Sequence, residues 1–198
     1  MPQPLKKPLK QLTFNSLGLA DWPELTLRLT AVLNEWNKLE GTLGVLLGTL
    51  LNTRYSVAVA TLASVVNFTA RLELIAAAAS AARPDFAEEV GALMSRLRSR
   101  AGERNKVIHG CWATSKEWPH HLIYCPTEAI AFAAARQAEG ADPTYSILAA
   151  IKPQLRLWSA RCFQDLEERI GVENRSVIEL NNRIAQTPFA PHEADRAQ

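Results

Sequence analysis

The chain has 198 residues, 22 Lys plus Arg against 20 Asp plus Glu, and a net charge of +2. That length suits one domain with a full core, and the charge balance excludes a whole-protein field strong enough to select a nucleic acid or a membrane, so any basic footprint must be local. The three cysteines, Cys111, Cys125 and Cys162, are odd in number and form no C-x-x-C pair, which reads as reduced cytoplasmic thiols rather than a disulfide framework.

Residues 1–13, with Pro2, Pro4 and Pro8 among Lys6, Lys7 and Lys10, read as part of a mobile basic arm over 1–20. No apolar run follows those charges, so the segment is not read as a signal peptide. A helical domain is placed at 21–186, and the Pro-containing end at 187–198 is read as a disordered tail. The longest apolar tract, Gly41 to Ala70, is interrupted by Arg54 and leaves pieces shorter than the roughly 20 residues of a membrane helix.

The first helix is expected from Pro23 or Glu24 to Leu51, because Leu25, Leu29, Val32, Leu33, Trp36, Leu39, Leu43, Leu46, Leu47 and Leu50 recur at three- and four-residue steps. A second is expected from about Ser56 to Ala82, stopped by Arg83-Pro84. Periodicity alone allows a strand at its start, Tyr55-Ser-Val-Ala-Val-Ala, and tract length favours helix. A third runs from Pro84-Asp85 to Gly110, with Val90, Leu93, Met94, Leu97, Ala101 and Ile108 on one face.

Between Trp112 and Cys125 the β-prone Leu122-Ile-Tyr124 suggests a small hairpin at most. Over Thr127–Glu139 the alanine content favours helix, while its position after a strand allows an extended piece; we read helix. A fourth main helix is expected from Asp142-Pro143-Thr144, an N-cap followed by Pro, to Gly171, kinked or broken at Pro153. The fold class is therefore all-α, a bundle of four to five helices with a short β insertion after the third.

The third helix carries Ser95-Arg-Leu-Arg-Ser-Arg-Ala-Gly-Glu-Arg-Asn-Lys106, five positive charges and one negative. Such a cluster is a plausible phosphate footprint, with Arg96, Arg100 and Lys106 as candidate RNA contacts, and a solvated helix face explains it equally well. The segment closes on Arg104-Asn105-Lys-Val-Ile-His109-Gly110. Basic residues near a helix C-terminus and Gly after it make an ordinary cap. Asn105 and His109 are four apart and share a face, whereas Arg104 and His109 are five apart and about 140° apart on a regular helix. Either the arginine wraps round, or the helix loosens near Gly110, or a second copy completes the site. Cys111, His120, His121 and Cys125 could be written as a zinc set, but their spacing, C-x8-H-H-x3-C, matches no usual knuckle.

Arg104-Asn105-x-x-x-His109 resembles the R-[N/D/H]-x-x-x-H motif of HEPN domains, all-α domains found in many toxins and defence ribonucleases. The order of a long apolar helix pair, a motif-bearing helix, Gly-Trp and a closing helix extends the resemblance over roughly residues 24–171. The resemblance implies a HEPN-like bundle and a metal-independent endoribonuclease without a cofactor, in which Arg104 and His109 cut RNA, Asn105 orients His109 or a phosphate oxygen, and the products carry 2′,3′-cyclic phosphates. One motif per chain implies a homodimer, and a toxin or phage-defence setting implies a cognate antitoxin protein as a further partner. The alternative is a non-catalytic HEPN-like module that binds RNA, nucleotide or protein.

Overall fold

The computed structural model describes residues 1–5, 9, 11–14, 22–140 and 146–189. Helix takes up 73% of these residues, in seven α-helices and two 3-10 turns beside one four-stranded sheet, so the chain is mostly helical as expected. The single domain expected over 21–186 divides into two compact units, Met1–Asn34 with Gly102–Arg169, and Glu35–Ala101 with Ile170–Gln198.

In the first unit the sheet has the order β1 (Gln3–Pro4), β4 (Arg156–Trp158), β3 (Leu122–Cys125), β2 (Cys111–Ala113), all antiparallel. This replaces the hairpin expected at most, and it places Gln3 and Pro4, expected in a mobile arm, in register with Leu157 and Arg156. Pro4 suits this edge because it has no N–H to give a further neighbour. Side-chain alternation explains the strands. Ala113, Ile123, Cys125 and Leu157 join a core with Ala129, Ala133 and Ile151 of α5 (Thr127–Ala138) and α6 (Ile147–Ile151). Trp112, Tyr124 and Trp158 occupy the alternate positions, and the Trp112 ring meets Tyr124, Trp158 and Phe163 at 5.7, 5.6 and 5.5 Å. Thr127–Ala138 is helical as read. The expected start at Asp142-Pro143 lies outside the described residues.

The fourth main helix departs furthest from expectation. After Ile147–Ile151 and a 3-10 turn, Lys152–Gln154, the chain turns extended into Arg156–Trp158, and only then does α7 begin, running Ala160–Gln186. Pro153 therefore ends a helix rather than kinking one. Gly171, expected as the stop, sits inside α7, where a glycine costs about 1 kcal/mol relative to alanine but breaks no hydrogen bond.

The second unit is helical. The expected Ser56–Ala82 helix is two, α2 (Tyr55–Ser64) and α3 (Phe68–Ala82). The break is built from side chains: Asn67 caps α3 by accepting from Ala70 N, and Arg71 donates to Val65 O at 2.6 Å and to Glu40 at 2.7 Å. Helix α1 (Pro23–Leu50) begins as expected, and in this unit α2 folds back along it. A Cβ on Gly44 would stand 2.8 Å from Val59 Cγ2, and one on Gly48 2.6 Å from Tyr55 Cδ1, so two glycines four apart admit this close approach. Helix α4 (Ala87–His109) follows a 3-10 turn at Pro84–Phe86. Arg83 before that turn is buried, donating to Asp85 and to Ile184 O and lying 4.8 Å from the Phe86 and Phe189 ring centroids. Phe189 belongs to the segment expected as a disordered tail, of which 190–198 lie outside the described residues.

Candidate functional site

Arg104, Asn105, Lys106 and His109 occupy the last two turns of α4, in the first unit. The helix is regular through His109, and Gly110 N still donates to Lys106 O at 3.2 Å. Loosening near Gly110 is thus removed as a way to bring Arg104 and His109 together. Their separation of about 140° stands.

Three contacts fix this helix end. Trp112 Nε1 donates to Val107 O at 3.0 Å, and the Thr127 hydroxyl donates to His109 O at 2.5 Å. Gly110 is where Tyr124 crosses: a Cβ there would lie 2.0 Å from Tyr124 Cε2 and 2.7 Å from Lys106 O. Gly110 does not have a left-handed backbone, so the reason for glycine is space rather than the positive φ of a usual C-terminal cap.

With those carbonyls engaged by Trp112 and Thr127, His109 does not serve as the cap. Its side chain is exposed, and no hydrogen bond to its ring occurs among the described residues. Arg104 is half-buried and donates from Nη1 to Asn105 Oδ1 at 3.2 Å. Lys106 is exposed. Helix placement therefore gives Asn105 and His109 one face.

Arg96 and Arg100, in the second unit, face a buried carboxylate. Arg96 Nε donates to Glu173 Oε2 at 3.0 Å, Arg100 Nε is 3.8 Å from Oε1, and Glu173 is 4% exposed. Arg98 pairs with Glu73 at 3.1 Å. Much of the basic run thus neutralises carboxylates of its own unit.

Clefts occur elsewhere among the described residues. One of about 300 Å³ in the first unit is lined by Trp118, His121, Leu157, Ser159, Arg161 and Cys162; burial holds the His121 imidazole below its usual pKa. Another, about 310 Å³, runs in the second unit past Glu89, Arg96, Glu179 and Arg183. Neither of these has Arg104 or His109 in its lining. No group of three or more potential metal ligands occurs among the described residues. Cys111 and Cys125 do face each other across the hairpin, but His120 packs on Trp22 and His121 on Trp118. No helix among the described residues is long and apolar enough to cross a membrane.

Thr127, Tyr124 and Trp112 escaped the sequence reading as supports of the motif. No local spacing signals a hydroxyl 18 residues away reaching a helix-terminal carbonyl. No protein-family model, no curated protein and no solved structure matches this chain.

Proposed function

We propose that the chain is a HEPN-like, metal-independent endoribonuclease acting as a homodimer, with Arg104 and His109 as its working pair. The observation that carries this reading is the exposed His109 ring on a helix end whose carbonyls are already engaged by Trp112 and Thr127. An imidazole can take the proton of a ribose 2′-hydroxyl or protonate the departing 5′-oxygen. Arg104 grips the scissile phosphate through its planar fork and offsets the negative charge that grows as the 2′-oxygen attacks. Asn105, which already accepts from Arg104, orients the guanidinium, and Lys106 holds the flanking backbone. The cut leaves a 2′,3′-cyclic phosphate and a 5′-hydroxyl, so DNA is not a substrate.

The angular separation on a regular helix favours a site shared between copies, in which Arg104 of one chain works with His109 of the other. Mixing is the test. Arg104→Ala and His109→Ala proteins are each assayed alone on RNA, then after denaturation and refolding together. Shared sites restore part of the lost activity in mixed dimers, because one of the two sites then holds both native side chains. A mixture no more active than its components, given an active parent, rules out the shared site.

A further inference from the structure

Cys111 and Cys125 are directly opposite in the β2–β3 ladder, so their side chains leave the sheet on the same side. Both pack against one cluster, Cys125 fully buried within it and Cys111 half-buried at its edge. Directly opposed antiparallel residues have Cα atoms about 4.5–5.5 Å apart, inside the 4.4–6.8 Å span of natural disulfides. Both thiols are free. Their present hydrogen bonds are weak, Cys111 Sγ to Thr127 Oγ1 at 3.7 Å and Cys125 Sγ to Pro126 O at 3.6 Å, and rotation about χ1 releases them.

We infer that Cys111 and Cys125 are an oxidisable pair that closes to an intramolecular disulfide with a small disulfide oxidant such as oxidised glutathione. Half-buried Cys111 provides the entry. Its thiolate attacks one sulfur of the oxidant, the S–S bond breaks, and one glutathione thiolate leaves. Cys125 then loses its proton and attacks the Cys111 sulfur of the mixed disulfide, releasing the second glutathione. Two cysteine thiols are oxidised and one disulfide is reduced to two thiols, which balances. The second step is the slower at neutral pH, since burial pushes the Cys125 thiol up to about 11 and only the thiolate is a nucleophile. The bridge would tie the residue two places after His109 to the strand that carries Tyr124. This inference is independent of the catalytic reading and goes beyond it.

The protein, reduced and then desalted, is incubated with oxidised glutathione at pH 8.5, blocked with a maleimide and digested with trypsin. The expected result is a fall from three free thiols to one and a cross-link between peptides 107–116 and 117–136, which carry Cys111 and Cys125. Cys162→Ala keeps that cross-link, and Cys111→Ser abolishes it. A bridge containing Cys162, a glutathione adduct on Cys111 that never resolves, or three thiols left unreacted overturns the proposal. The wild-type peptide map decides even if a cysteine variant misfolds.

Discussion

Gly110→Ala probes the junction on which the candidate site rests. The added methyl would stand 2.0 and 2.4 Å from Tyr124 Cε2 and Cδ2, and 2.7 Å from Lys106 O, against ordinary carbon contacts of about 3.5–4.0 Å. The ring must therefore retreat by about 1.5 Å. It is not free to do so cheaply, because Tyr124 pairs with Trp112 in register and edge-on at 5.7 Å. The Lys106 carbonyl is backbone and already accepts from Gly110 N, so it cannot swing aside as a side chain could. Overpacking of this kind costs about 1–3 kcal/mol. Loss of glycine's freedom in the unfolded chain returns about 0.4–1 kcal/mol. The net expectation is destabilisation by about 1–2 kcal/mol, or a urea midpoint lower by roughly 0.5–1 M at a slope near 2 kcal/mol/M. Tryptophan fluorescence suits the measurement, since Trp22, Trp112, Trp118 and Trp158 all belong to the first unit and only Trp36 to the second. Tyr124→Ala should relieve the ring part of the clash, so the double variant loses less than the two single losses combined. A Gly110→Ala protein as stable as the parent would refute the close approach.

Arg83→Ala should lower stability by about 3–4 kcal/mol in urea, because it strips a buried guanidinium from Asp85, Ile184 O and two ring faces; a loss under about 1 kcal/mol would contradict that packing. The hydrogen bond from Arg83, then its charge, hold the Asp85 carboxyl below its ordinary value of 3.8, against opposing burial. The unfolded carboxyl binds its proton first, so this contribution is intact above about pH 4 and fades as pH falls through the lowered folded value. The midpoint difference between parent and Asp85→Asn should be flat at neutral pH and shrink in acid; a difference that grows in acid has the wrong sign. Protein purified without added zinc should carry far less than one equivalent by elemental analysis, and one equivalent would show that Cys111, His120, His121 and Cys125 do assemble.

The long apolar stripes were readable because burial on one helix face repeats every three or four residues: Val32, Trp36, Leu39, Leu43, Leu46 and Leu50 are all buried. Strand Arg156–Trp158 was not, since three residues give no period to read, and strand Gln3–Pro4 exists only because that distant partner supplies the ladder. The break at 65–67 depends on Arg71 and Glu40, whose pairing spans 31 positions. Past Gly171, α7 keeps a thin stripe, Val177, Leu180 and Ile184, diluted by the charged and amide residues of its open face. At the candidate site, Arg104 and His109 were legible as a motif and their angular separation as geometry. What anchors them was not, because Tyr124 and Thr127 arrive from 14 and 18 residues beyond Gly110 and His109.

The most direct test of the central claim is the rate at which wild-type and His109→Ala proteins cleave single-stranded and transfer RNA in chelator, with RNA binding measured in parallel. Removal of a proton shuttle should slow cutting by about 10²–10⁴-fold while binding persists, and the wild-type products should end in 2′,3′-cyclic phosphates. Cleavage by His109→Ala at the wild-type rate, or a wild-type protein that binds these RNAs and cuts none of them, would contradict it.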